Sequence, residues 1–298
     1  MKVYVVIVIY NGLKWIDRCF GSLRQSVLPV TVIAIDNGST DGSVEKIRAD
    51  FPEVQLMEAE SNLGFGKANN MGMELAEKAG ADYIFLFNQD AWIEGDTLQG
   101  LVTVAASNKD FGIISPIHLN GSYTGLDINF SNYIAPDKCE GLVSDMFIRQ
   151  LKPVYDLEFV NAAAWLVSMA CYRKVGGFEP LFFFYGEDWN YCQRVRAHNF
   201  KIGVAPAYTI CHDREVRKGK LNPTPDKLRE RTMSLSVLLD ITNGWTSRVL
   251  LFTRIRLVGL LASTLRLKPV SAGYHLREIC YLLTHYSKIK SIRRGYKE

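Results

Sequence analysis

The sequence predicts an α/β protein: a mixed, mainly parallel sheet flanked by helices, followed by a helical extension. Three observations predict it. Short apolar runs rich in β-branched and aromatic residues alternate with helix-like segments through the first part of the chain, as strand–helix–strand units do. Polar clusters follow directly on those runs, where such sheets bind ligands. Charge is also divided along the chain. Met1–Asp213 carries a net −8 and Arg214–Glu298 a net +12, within an overall +4. That break predicts an α/β domain over 1–213 and a basic helical region over 214–298.

The elements follow in order. VYVVIVIY, closed by Asn11-Gly12, reads as a buried strand and turn, not as a secretory leader. A helix is expected over Lys14 to Arg24, then the strand VTVIAID, then a helix opened by GSTDGS. A short strand precedes Glu58, a helix follows GFGKANN, and ADYIFLFN forms a fourth strand. Between His118 and Val154 the pattern weakens into a stretch bearing Gly, Asn and Ser, read as loops at the sheet edge. NAAAWLVSMACYRKVGGF returns to a buried strand and short helix. The six cysteines are scattered, with no C-x-x-C pair, and are expected to be reduced and mostly buried. With 22% charged and 48% hydrophobic residues, composition excludes a disordered chain.

Three strand ends converge on one edge: Tyr10-Asn11-Gly12, Asp36-Asn37-Gly38-Ser39 and Asn88-Gln89-Asp90. Asp36 offers only acceptors, which suits a base or ribose. Equally, Asp36 and Asn37 serve as turn formers, with Ser39 and Asp41 capping the next helix. NLGFGKANNMG is a glycine-rich loop entering a helix, whose N–H groups suit a phosphate. It departs from the dinucleotide fingerprint, because it follows the third strand and has Asn69 in place of the last glycine.

VVIVIYNG, AIDNGSTDGS, NLGFGKANNMG, FLFNQDA and FFFYGEDWNYCQR, followed by ICH, together resemble a family 2 glycosyltransferase of the GT-A fold, with its Rossmann-like nucleotide-binding sheet. It particularly resembles rhamnosyltransferase-like and galactofuranosyltransferase-like bacterial members, and the resemblance covers about residues 3 to 213. It implies an inverting transfer of a sugar from a nucleoside diphosphate, dTDP or UDP favoured, to a hydroxyl of a glycan or lipid-linked acceptor in cell-surface polysaccharide synthesis. Nucleotide contacts are then implied for Tyr10, Asn11, Asp36, Asn37, Gly64, Gly66, Asn69, Gln89 and Asp90. Asp90 becomes the metal-binding end of a D-x-D-like motif, with Asn88 where the family often has Asp. The implied cofactor is Mn²⁺ or Mg²⁺, held by Asp90 and His212, and a lone histidine is otherwise a structural one. Asp188 is the implied base and Glu187 its support or an acceptor contact.

The bland reading of Glu187 and Asp188 is compensation of a helix dipole. Tyr191 and Cys192, three and four residues past Asp188, offer it no ion pair. Phe182 to Tyr185 read as an aromatic wall around the acceptor, with at least two of the four expected in the core, and Trp165 is placed near the donor sugar. A nicotinamide-type enzyme or a nucleotidyltransferase would need a glycine-rich loop after strand one, which YNGLKWI lacks. A non-catalytic sugar-nucleotide-binding module stays open as the alternative. The basic region contains apolar, cationic helical stretches too interrupted by arginine to span a bilayer. They are expected either to lie on an anionic membrane surface or to pack on the first domain or a second copy. The expected setting is the cytoplasm, peripheral to the inner face of the membrane, with no nucleic-acid partner and homo-oligomerisation open.

Overall fold

The computed structural model describes residues 1–214 and 226–296, so 215–225 and 297–298 of the basic region lie outside the described residues. β1 (Val3–Ile9), α1 (Ile16–Arg24), β2 (Val30–Asp36), α2 (Ser43–Asp50), β3 (Gln55–Glu58), α3 (Phe65–Lys78) and β4 (Tyr83–Asn88) form the alternating first half. β5 (Ala91–Ile93), α4 (Thr97–Ser107), β6 (Phe111–Asn120), α5 (Ile128–Tyr133), α6 (Leu142–Phe147) and β7 (Tyr155–Asp156) follow. β8 (Ala164–Ser168), α7 (Met169–Val175), α8 (Glu187–Ala197) and β9 (Lys201–His212) complete the sheet layer. The chain ends in α9 (Asp226–Leu238), α10 (Trp245–Leu265) and α11 (Pro269–Gly295).

The strands form a single sheet in the order β3-β2-β1-β4-β8-β6-β9-β5, with β7 paired to β9. β1 runs parallel to β2 and β4, and β6 parallel to β9, while β8 lies antiparallel between β4 and β6. The expected mixed, mainly parallel sheet is therefore present. Alternation along β1 sends Val6 into one core and Val3, Val5, Ile7 and Ile9 into the core on the opposite face. Such two-sided burial is why the strand reads as an unbroken apolar run. On one face α3 lies directly on β1 because Gly72 has no side chain: a Cβ there would sit 2.3 Å from a Val6 methyl.

α9, α10 and α11 enclose a third core of Leu235, Leu238, Leu239, Phe252, Leu282 and Ile289, to which Phe182 contributes from the sheet domain. The buried arginines here are partnered. Arg256 donates to the Ser234 hydroxyl at 2.9 Å and pairs with Glu230. Glu278, fully buried, accepts from Arg231 and Ser234. The end of α11 is fastened to the sheet domain. The Tyr296 hydroxyl donates to Glu179, and its ring lies under the Arg194 guanidinium. All six cysteines are free thiols and five are buried, as expected.

Candidate active site

The first three strand ends are knitted to one another before any ligand is considered. Asn11, in a left-handed conformation at φ 48°, accepts from the Thr40 N–H, and its own N–H donates to Ser39 Oγ. Asp36 folds back on its own turn, accepting from the N–H groups of Gly38 and Ser39 at 3.1 Å. Asn37 accepts from the Leu63 N–H at 2.7 Å and donates to Asn62, which ties β2 to the glycine-rich loop. Asp41 binds the Leu13 and Ser43 N–H groups. The turn-forming role of Asp36 and Asn37 is thus realised, but the expected capping by Ser39 is corrected: the N-cap of α2 is Gly42, and the Ser39 hydroxyl is taken by the Asn11 N–H.

Four residues expected at the nucleotide are occupied within the protein. The Gln89 amide clasps Tyr10, accepting from its N–H at 2.9 Å and donating to its carbonyl at 3.1 Å. Asn69 is buried and donates to the Phe65 carbonyl one helical turn back. At Gly64 the close approach is to the Phe183 carbonyl, which a Cβ would meet at 2.2 Å. At Gly66 it is to Phe178, at 3.0 Å. Tyr10, by contrast, stays exposed at the mouth of the edge.

Asp90 and His212 meet because β5 pairs antiparallel with the end of β9, in a register that sets Ala91 opposite His212. Nε2 of His212 lies 3.3 Å from Asp90 Oδ1 and 3.3 Å from the Asn88 amide nitrogen. Behind the ring, Nδ1 lies 3.6 Å from Asp127 Oδ2. Asp127 is buried, caps α5 by accepting from the N–H groups of Asn129 and Phe130, and pairs with Arg214 at 2.7 Å. Asp127 and Arg214 were not singled out from the sequence. The signal available was an aspartate directly before a short helical segment, INFSNY, inside a stretch that otherwise reads as loop.

Two ligands about 2.1 Å from one small divalent ion, at right angles to each other, stand about 3 Å apart. The Asp90–His212 separation fits that requirement, and a carboxylate behind the imidazole is the usual support for a ligating histidine. Among the described residues no group of three His, Cys, Asp or Glu surrounds a single point. Asp90 and His212 are the side chains that would hold such an ion.

Glu187 and Asp188 open α8 after Gly186, whose φ of 85° turns the chain into the helix. Glu187 is buried, and its Oε2 has no hydrogen-bond partner. Burial and the neighbouring Asp188 charge push its pKa up. Burial likewise raises Asp188, opposed by the Trp189 N–H and by the Arg214 charge. Both carboxyls therefore favour the proton more than ordinary carboxylates do.

Two aromatic expectations are corrected. Trp165 is fully buried between Phe178 and Tyr191, so it packs the core and does not line the open edge. Of Phe182 to Tyr185, only Phe182 is buried, against the C-terminal helices. Left-handed Tyr185 and Gly186 turn the segment outward, leaving Phe183, Phe184 and Tyr185 exposed.

The fold is that of the GT-A glycosyltransferases among solved structures. The chain belongs to glycosyltransferase family 2: the model described as Glycosyl transferase family 2 matches residues 4–166. It is 23% identical over 269 residues to the N-acetylglucosaminyl-diphospho-decaprenol L-rhamnosyltransferase of Mycobacterium tuberculosis, covering 81% of this chain and 85% of that one. To the dTDP-rhamnosyl transferase RfbF of Shigella flexneri it is 24% identical over 214 residues, 71% of this chain and 69% of the relative. Among solved structures, GalNAc-T7 with UDP, GalNAc and Mn²⁺ superposes with a TM-score of 0.63 at 15% identity, over 96% of this chain and 58% of that chain. S. aureus TarS 1-349 with UDP-GlcNAc gives 0.55 at 18%, over 83% and 69%.

Proposed function

We propose that this glycosyltransferase moves a sugar from a nucleoside diphosphate to an acceptor hydroxyl with inversion, in the synthesis of a surface polysaccharide or lipid-linked glycan. The observation that carries the proposal is the junction of Asp90 and His212, backed by Asp127, with Arg214 linking it electrostatically to the raised carboxyl of Asp188. The catalytic unit is 1–213, and 214–298 is a basic helical attachment to it. Relatives named for rhamnosyl transfer, one of them from dTDP, and a solved structure holding UDP-GlcNAc support dTDP or UDP as the carrier. The first of those relatives is named for a diphospho-decaprenol acceptor, which supports a lipid-linked glycan as acceptor and a place at a membrane surface.

In this reading Tyr10, Asn11, Asp36 and Asn37 shape the nucleoside side of the cleft. Gln89, Asn69, Gly64 and Gly66 keep its walls in place. Asp90 and His212 would hold Mn²⁺ or Mg²⁺, as the neighbour containing Mn²⁺ suggests. A bound divalent cation supplies positive charge that stabilises the departing diphosphate. Asp188 accepts the acceptor's hydroxyl proton as that oxygen bonds to the anomeric carbon. The bond from that carbon to the diphosphate breaks on the opposite face, and nucleoside diphosphate leaves. Glu187, held toward its neutral form by burial and the Asp188 charge, limits a second negative charge beside the base.

The test is a Mn²⁺ titration of donor binding in wild type, Asp90→Ala and His212→Ala. Asp90→Ala should weaken the metal-dependent component strongly and His212→Ala to a smaller degree. An unchanged metal dependence in both variants would sink the assignment. Slow metal-dependent release of nucleoside diphosphate from the donor separates an enzyme from a module that only binds it.

A further inference from the structure

α10 carries apolar side chains on the side opposite to the one it buries. Phe252, Arg256 and Ser263 face inward on to α9 and α11, while Leu257, Val258, Leu261 and Leu265 project from the other side. At the turn into α11, Leu267 and Val270 project as well, and the six lie between 52% and 87% exposed. An apolar stripe of this length on a helix is ordinarily covered.

Charge indicates what covers it. From Trp245 to Gly295 the chain has ten Lys and Arg and a single acid, Glu278, which is buried against Arg231. The fold sorts the arginines by direction. Arg248, Arg256 and Arg293 are turned inward on to Asp240, Glu230 and the Asp240 carbonyl. Arg254, Arg266 and Lys268 are exposed, set within and beside the stripe. Two copies joined through this face would press cations together with no exposed carboxylate on α10 or α11 to answer them, since Glu278 is buried. No described helix is long and apolar enough to cross a membrane.

We infer that α10 and its turn into α11 lie in the plane of an anionic lipid surface. The leucines enter the acyl boundary, and Arg254, Arg266 and Lys268 reach the headgroups. The inference stands apart from the transferase reading, because it uses none of the site residues.

Co-sedimentation of the full chain with vesicles tests it, comparing phosphatidylglycerol mixed into phosphatidylcholine with phosphatidylcholine alone. Binding should require the anionic lipid and weaken with salt. Leu257→Ser/Leu261→Ser/Leu265→Ser should abolish it with the circular dichroism spectrum and melting temperature little changed, since these side chains are exposed and outside the C-terminal core. Arg254→Gln/Arg266→Gln should weaken it on the order of tenfold or more. Absent binding, equal binding to both vesicles, or full binding by the folded triple-serine variant would each overturn the inference. A dimer in solution that the triple-serine variant dissolves, without vesicle binding by wild type, would assign the face to a second copy.

Discussion

Asp188 and Glu187 are adjacent in sequence and unequal in setting. Glu187 is buried with an unpartnered oxygen, whereas Asp188 is half-buried and accepts from the Trp189 N–H. Asp188→Asn keeps the side chain's shape and removes its basicity. Transfer should fall by about 10²–10⁴-fold with donor affinity little changed, read by initial rates beside equilibrium donor binding. Because burial raises the Asp188 pKa, its base form is lost on acidification at a pH above the ~3.9 of a free aspartate. The acid limb of the rate profile should be displaced upward accordingly, and a rate still flat at about pH 4 would contradict the assignment. Glu187 carries a stability consequence of definite sign. Its folded-state pKa is raised, so the folded chain holds this proton more tightly than the unfolded one, and stability is lost as pH rises through the folded value. Glu187→Gln should therefore melt higher than wild type at pH 8, with the difference closing below about pH 4, where the unfolded carboxyl is protonated too. Thermal melts across that range decide it.

At the scale of elements, the metal-side half of the site depends on two strand pairings and one helix cap. β9 delivers His212 to β5, and the turn after β6 delivers Asp127 behind it, where Asp127 also starts α5. Asn caps a helix about as well as Asp but carries no charge. Asp127→Asn should thus keep the cap, lower the denaturation midpoint only through the lost Arg214 ion pair, and lower Mn²⁺ affinity about 10–100-fold, measured by calorimetric titration in the presence of UDP. The glycine-rich loop yields a different expectation. Gly64 has φ 81° and ψ 169°, a conformation reserved for glycine, and lies against the Phe183 carbonyl. Gly64→Ala should cost about 1–3 kcal/mol by urea denaturation, through strain and that clash.

Across the whole molecule, the acidic and basic parts share a core. Phe182 enters the C-terminal cluster, and Tyr296 returns to Glu179 and Arg194 of the sheet domain. Urea unfolding should therefore be one transition by both tryptophan fluorescence and circular dichroism. Two separated transitions would mean that 214–298 folds independently. Arg293, buried, donates to the Asp240 and Asn243 carbonyls, and Arg293→Met leaves both without that partner. It should cost about 1–3 kcal/mol in the same experiment. The shared core is also why removing the chain after Asn243 would expose Leu235, Leu238 and Leu239, whereas the outward leucines of α10 can be changed singly.

The sequence by itself determined β1, β2, β4 and β8, because two-sided burial demands unbroken apolar runs, whereas β5, β6 and β7 became visible only in the sheet. It also determined the sheet edge, because turn residues must follow such strands, and Asn88-Gln89-Asp90 lay there, while Asp188 and His212 were marked by the family resemblance. The partition of charge was legible as well, being a property of composition. Only the tertiary structure decided what depends on contacts between distant segments. Asp127 and Arg214 acquire their place through pairings over long separations, which no local pattern encodes. Gln89 and Asn69 proved to hold backbone, since an amide serves a ligand and a carbonyl equally well until its neighbours are known. The burial of Trp165 and the outward turn of Phe183 follow from what packs beside them. The same holds for α10: its arginines look alike in sequence, and only packing against α9 and α11 sets Arg256 inward and Arg254 outward.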